Sequence, residues 1–275
     1  MNRTNRLLYS LVPAVTLTLL LGSPPTHAQE AKQEAKPAKT NIDEQAMAAV
    51  KRFSDFLTSQ KQFSLTADVG FDIVQDWGQK IEFGETRKMT VSRPDRVRVD
   101  TTDRDGAVSL LMFNGKEIAY FDSADNAYAT VAKPGTIIDA VSYFANDLGM
   151  RLPMGAMLSG QLPQLLSNWA LTGRYVDKSS INGVACDHLA FHGDREDIQM
   201  WIAQGDKPLL QRMVITYDRT DSKPQFWAQV REWNLSPEVL DSLFTFTPPA
   251  GAVKVAFAPK GYSSGQTVET KGGQQ

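Results

Sequence analysis

The chain has 275 residues, a formal net charge of −2 at pH 7, three His and a single Cys. A charge this close to neutral, with no clustered basic field, excludes a nucleic-acid binder. One Cys excludes an internal disulfide, so a hydrophobic core must hold the fold, and this length suffices for one large or two small cores.

Residues 1–28 form an address. Arg3 and Arg6 supply a positive start, Leu7 to Leu21 an apolar run, and Thr26-His27-Ala28 a small-residue ending suited to cleavage after Ala28. The run is too short and too poorly flanked for a spanning helix, and no Cys near the cut supports lipid anchoring. Export to the periplasm is therefore expected. Residues 29–40, rich in Ala, Lys, Glu, Gln and Pro, read as a flexible spacer, and residues 260–275, Gly, Ser, Gln and Thr without apolar period, as a disordered tail.

Asn41 and Glu44 stand at capping-box spacing ahead of Ala46, Ala49, Val50, Phe53 and Leu57, an amphipathic helix with one buried stripe. From Phe63 the period changes from 3.6 to 2. Phe63, Leu65, Ala67, Val69, Phe71 and Ile73 alternate with polar residues or Gly, which predicts a long strand with one dry and one wet face. Asp76-Trp77-Gly78 suits a three-residue hairpin, followed by a strand carrying Ile81, Phe83, Met89 and Val91 on one side. Arg93-Pro94-Asp95 turns the chain into Val97 and Val99. Val108 to Phe113 and Ile118 to Phe121 are joined by Asn114-Gly115, a hairpin signal, and Ala127 to Val131 makes the next strand.

Residues 134–169 break the β pattern. Ile137, Val141, Phe144 and Leu148 have helical spacing, as do Leu162, Leu165, Leu166 and Trp169. Between them Met150, Met154 and Met157 lie in a segment that Pro153, Gly155 and Gly160 keep irregular. Such Met residues either repack around apolar ligands or fill an irregular core. Val184 to Tyr217 reads as three antiparallel strands, and Gln225 to Trp233 as one more.

Two stretches carry a resemblance. Ser92-Arg93-Pro94-Asp95-Arg96-Val97-Arg98-Val99, with Asn114-Gly115-Lys116 and Tyr120 beyond it, resembles a strand–turn–strand pattern of the LolA/LolB-like periplasmic lipoprotein-carrier superfamily. Asp241-Ser242-Leu243-Phe244-Thr245-Phe246-Thr247-Pro248-Pro249 resembles its closing motif. Cys186 to Phe191, Gln199 to Ile202 and Ile215-Thr216-Tyr217 are closer still to an uncharacterised branch of predicted periplasmic proteins. The resemblance implies a mainly β domain over residues 41–259, an open curved antiparallel half-barrel of about eleven strands with a helical lid. It implies an acyl chain or other apolar ligand on the concave side, and no catalytic residue or cofactor. None of the positions here is matched to the carriers' lid-gating residue.

The cluster Cys186, His188 and His192 invites a metal or nucleophile reading. If Gly193-Asp194 is a two-residue turn, Leu189 faces Ile198 and Cys186 faces Trp201. His188 and His192 are then about 13 Å apart along one strand, too far for one zinc ion without a bend. Nothing supplies a G-x-S-x-G elbow, P-loop or H-E-x-x-H. The expectation is a non-enzyme without a metal site. If a cavity exists, its lining is expected from Phe71, Phe83, Leu111, Phe113, Tyr120, Phe144, Met154, Met157 and Trp201, each of which equally suits plain core packing. The function expected is binding, and possible carriage, of a lipid or other apolar molecule. One alternative is a regulatory or scaffolding module that binds another envelope protein or lipoprotein; a second is a hydrolase or metalloenzyme using Cys186 and His188.

Overall fold

The computed structural model describes residues 41–150, 152–218 and 221–257. The expected signal peptide, spacer and tail lie outside these residues. Thirteen strands form one sheet: β1 (Asn41–Ile42), β2 (Gln62–Val74), β3 (Lys80–Ser92), β4 (Arg96–Asp103), β5 (Val108–Phe113), β6 (Glu117–Asp122), β7 (Ala127–Ala132), β8 (Thr172–Ile181), β9 (Val184–His192), β10 (Glu196–Ala203), β11 (Leu210–Tyr217), β12 (Gln225–Asn234) and β13 (Val253–Val255). Their spatial order is β1-β8-β9-β10-β11-β12-β2-β3-β4-β5-β6-β7-β13. All pairs from β8 to β7 are antiparallel, so the sheet is the open, curved antiparallel half-barrel expected.

The strand count rises from about eleven to thirteen because β1 and β13 cap the two edges. Both pair in parallel, β1 with β8 and β13 with β7, and neither exceeds three residues. A segment that short has no readable period. Covering the edges leaves fewer unpaired backbone groups for edge-to-edge association.

The topology dictates a lid. β7 and β8 are consecutive in sequence but lie at opposite sides of the sheet, so the chain between them must cross its full width. The crossing consists of α2 (Ile137–Asn146), a 3-10 turn at Gly155–Leu158, and α3 (Leu162–Trp169). Its core-facing side chains Ile137, Phe144, Met154, Met157, Leu158 and Leu166 share one cluster with the concave face of the sheet. The helix that precedes β2, α1 (Glu44–Ser59), crosses the other half and packs on β8, β9, β10 and α3. Its stripe Ala46, Ala49, Val50, Phe53 and Leu57 is buried as its spacing predicts. Its cap differs from expectation. Asp43, not Asn41, accepts the Gln45 N–H, because Asn41 is taken up in β1.

Pairing also corrects the β9–β10 register. Gly193 pairs with Glu196, so the turn is Asp194-Arg195 rather than Gly193-Asp194, and Leu189 faces Met200 while His188 faces Trp201. The slip amounts to two residues, so the alternation of faces along both strands is unchanged.

A second, smaller cluster lies on the convex side. Met112 and Ala119 are covered by Phe244, with Leu110, Val239, Leu243 and Phe246 around them. Arg96 and Arg98 hold this strap: Arg96 pairs with Asp241 and lies over the Phe244 ring, and Arg98 donates to Leu243 O. The strap continues into β13 and brings Phe257 edge-on to Phe144 of α2. The closing motif thus ties the outside of the sheet to the lid inside it.

Candidate functional site

Alternation places odd-numbered residues of β2 to β5 and even-numbered residues of β6 on the concave face, and pairing arranges them in rows. One row runs Phe63–Val91–Val97–Phe113–Ile118, and the next Leu65–Met89–Val99–Leu111–Tyr120. Toward the β2–β3 turn lie Ala67–Arg87–Thr101–Ser109, then Val69–Glu85, then Phe71–Phe83. The first row is buried beneath α2 and the 3-10 turn. The rows beyond it emerge into the open: Val99, Leu111, Tyr120, Phe71 and Phe83 are only half-buried.

The concave face is therefore covered at one end and partly exposed at the other. At the closed end Arg93 Nη1 donates to Leu158 O at 2.8 Å, holding the 3-10 turn against the β3–β4 turn. Ile137 N–H donates to Pro94 O, which seats the start of α2 on the same turn. Burial pushes the Arg93 guanidinium below its ordinary pKa, and its Nε and Nη2 are buried without a partner among the described residues. Sequence reasoning missed this residue. Its one signal was a long cation between a strand end and a Pro, which does not say where the guanidinium will point.

At the open end Phe71 and Phe83 stack across β2 and β3, with centroids 6.2 Å apart and planes at 21°. Leu111 and Tyr120 are cross-strand partners, and the Tyr120 hydroxyl donates to Asp122 Oδ2 at 3.3 Å. Arg87 donates through Nε to the buried Glu85 and lies over the Phe226 ring at 5.9 Å. This stretch of the concave face thus combines apolar side chains with an ion pair and, in the same row, Thr101 and Ser109.

The nine expected lining residues separate accordingly. Phe71, Phe83, Leu111 and Tyr120 come together on the open floor, while Phe113, Phe144, Met154 and Met157 are buried where lid and sheet meet. Trp201 lines nothing on the concave side, contrary to expectation. As the partner of His188 it stands on the convex face, ring to ring with that imidazole at 4.2 Å and 8°. The stack continues over Arg212 to Trp227, whose indole covers the backbone of Gly70. Strand parity decides this: Met200 and Ile202 take the concave face, and their neighbour must point away.

The Cys186/His188 pair does not assemble as a reactive couple. The buried Cys186 thiol donates to Val184 O at 3.2 Å, and burial pushes its pKa up, the wrong direction for a nucleophile. His188 contacts Gln199 Oε1 at 3.0 Å and Asp177 Oδ1 at 3.4 Å instead, and His192 contacts Asp197. Among the described residues, no three His, Cys, Asp or Glu side chains could hold a metal ion. The buried acid Asp187 is structural. It accepts from Arg52 of α1, Tyr175 and Gln204, clamping α1 to the sheet.

Fold and site define a class, a half-barrel whose concave apolar face is partly roofed by helices from its own chain. The family model described as "Predicted periplasmic protein (DUF2092)" matches residues 46–258, and the chain belongs to that family. No curated protein matches it in sequence. Among solved structures it is similar to an uncharacterized conserved protein from Thermus thermophilus, at 10% identity over 78% of this chain and 99% of that one, TM-score 0.47. It is similar to the Mycobacterium tuberculosis lipoprotein LppX at 14% identity, covering 72% and 100%, TM-score 0.46. A LolA superfamily protein from Nitrosomonas europaea gives 11% identity, 73% and 97% coverage, and TM-score 0.38.

Proposed function

We propose that this protein works in the periplasm as a binding protein for an apolar or amphiphilic molecule, an acyl chain or lipid, held on the open part of the concave face. The observation that carries the reading is the partly exposed group Phe71, Phe83, Val99, Leu111 and Tyr120, on a face whose other half is sealed by helices. Large apolar side chains left partly wet on a concave surface gain free energy when a ligand covers them, at about 0.8 kcal/mol per buried methylene of that ligand. Access is from the end carrying the β2–β3 turn, because Arg93 and Ile137 tie the lid down at the other. Met154 and Met157, already buried, yield space only if the 3-10 turn moves.

The mechanism is partition rather than chemistry. The ion pair of Arg87 and Glu85 supplies a polar point within the floor, so a ligand with one polar group is accommodated without stranding it. The test is mass spectrometry of lipid extracted from the purified protein, with displacement of a fluorescent fatty acid as the second arm. Co-purified lipid and saturable displacement are expected; absence of both overturns the reading.

A further inference from the structure

The partly exposed stretch of the concave face runs toward the end of the sheet where the β2–β3, β4–β5 and β6–β7 turns lie, and four of the exposed apolar side chains lie at that end. Trp77, at the β2–β3 tip, is 68% exposed, and Val74 of the same hairpin 38%. Val108, which opens β5 beside the β4–β5 turn, and Val253, paired with Ala127 just past the β6–β7 turn, are also exposed. The β2–β3 hairpin outreaches its neighbours. Ladder pairing with β12 stops at Phe71 and with β4 at Glu85; beyond them Asp72, Glu82 and Gly84 still bond to Gln225, Trp227 and Arg104, and the ribbon from Ile73 to Ile81 extends past both neighbours.

The fold does not need an indole at this tip. Gly78 supplies the left-handed residue of the turn, and Trp77 makes one hydrogen bond, to Gln79 Oε1 at 3.0 Å. The hairpin also joins the tip to the groove: its concave side runs from the Phe71–Phe83 stack to the half-buried pair Ile73–Ile81. The cations beside the tip are neutralised, Lys80 by Asp72 at 3.3 Å and Arg104 by Glu82 at 3.0 Å, and Asp76 and Asp105 sit at the turns. Among the described residues the tip thus presents Trp77 and Val74 between acidic and paired charged side chains, without a basic field.

We propose that this rim docks on a lipid bilayer with zwitterionic head groups, seating the groove mouth in the head-group layer. An exposed indole between apolar and polar surroundings suits that layer. The lack of a basic cluster argues against attraction to an anionic surface. The inference rests on the apolar-ligand reading of the groove, since docking has a purpose only if cargo passes between bilayer and floor.

The test uses the whole purified protein with phosphatidylcholine vesicles, followed by co-sedimentation and by Trp emission. Vesicle association with a blue shift is expected, with partitioning reduced about tenfold in Trp77→Ser, the factor that about 1.4 kcal/mol represents. Displacement of a fluorescent fatty acid in solution should be unchanged by that substitution, because Trp77 lies outside the floor. If displacement succeeds but vesicles are not bound, or are bound equally by Trp77→Ser, the docking inference falls and the groove reading stands. If displacement itself fails, the groove reading falls first. Binding that strengthens on adding phosphatidylglycerol, or a Trp77-dependent dimer in place of vesicle binding, would also overturn the inference.

Discussion

The two halves of the concave face are built from the same alternating strands yet end in different states. Over β9 and β10, Leu189, Phe191, Met200 and Ile202 are at most 2% exposed, because α1, backed by α3, lies on them. Over the outer ends of β2 to β6, Phe71, Phe83, Val99, Leu111 and Tyr120 stay partly exposed, because the lid is tied down at the end nearest Arg93. Periodicity says which side chains share a face; the roof says which of them are core. Phe191 and Phe83 are the same residue type on the same face with opposite assignments.

The sharpest way to break this comparison is to truncate both. Phe191→Ala should cost about 3–5 kcal/mol in urea unfolding, as expected for a sealed aromatic. Phe83→Ala should cost less, about 1–2 kcal/mol, because its side chain is partly exposed already, while weakening fatty-acid displacement. Equal losses would mean that the open half is core after all.

Next in size is the seam where the halves meet. Gly70 on β2 lies under the Trp227 indole, and a Cβ there would come within 2.4 Å of the ring. Gly70→Val should destabilise by about 1–3 kcal/mol through forced displacement of the ring. A wild-type melting temperature for this variant would contradict the stacked geometry.

A smaller effect separates lid from core. Arg93 is held by one hydrogen bond while Nε and Nη2 are buried without partners among the described residues. Arg93→Met should therefore change global stability by less than about 1 kcal/mol, since the lost bond is offset by relief of the unpaired donors. It should still accelerate amide hydrogen exchange around Gly155–Leu158. Unchanged exchange would show that the arginine does not hold the turn.

The smallest effect concerns the packed half alone. Burial raises the Cys186 pKa in the folded state, so the unfolded chain gives up its thiol proton first as pH rises. Stability should therefore fall with pH once the unfolded thiol begins to ionise, near pH ~8.5, and Cys186→Ala should flatten that limb. Alkylation of native Cys186 should be far slower than of the urea-unfolded chain.

Much of this was legible. The period-2 run from Phe63 to Ile73 predicted β2, and the stripe of α1 was correct at all five positions, because burial of one face writes itself into spacing. The β9–β10 turn was misplaced by one position, since Gly193-Asp194 and Asp194-Arg195 are both acceptable turn sequences and only pairing across the ladder distinguishes them. Phe71, Phe83, Leu111 and Tyr120 share the concave face, as strand alternation implies. Trp201 was misassigned because its size suggested a wall, whereas parity had already placed it with His188.

The sequence by itself determined that the chain would form long one-sided strands interrupted by amphipathic helices, because local periodicity and turn chemistry act within a few residues. Only the tertiary structure decided where the roof falls, what Arg93 holds, and which aromatic residues remain wet. Those outcomes depend on β7 and β8 lying at opposite sides of the sheet, a long-range fact with no local signature.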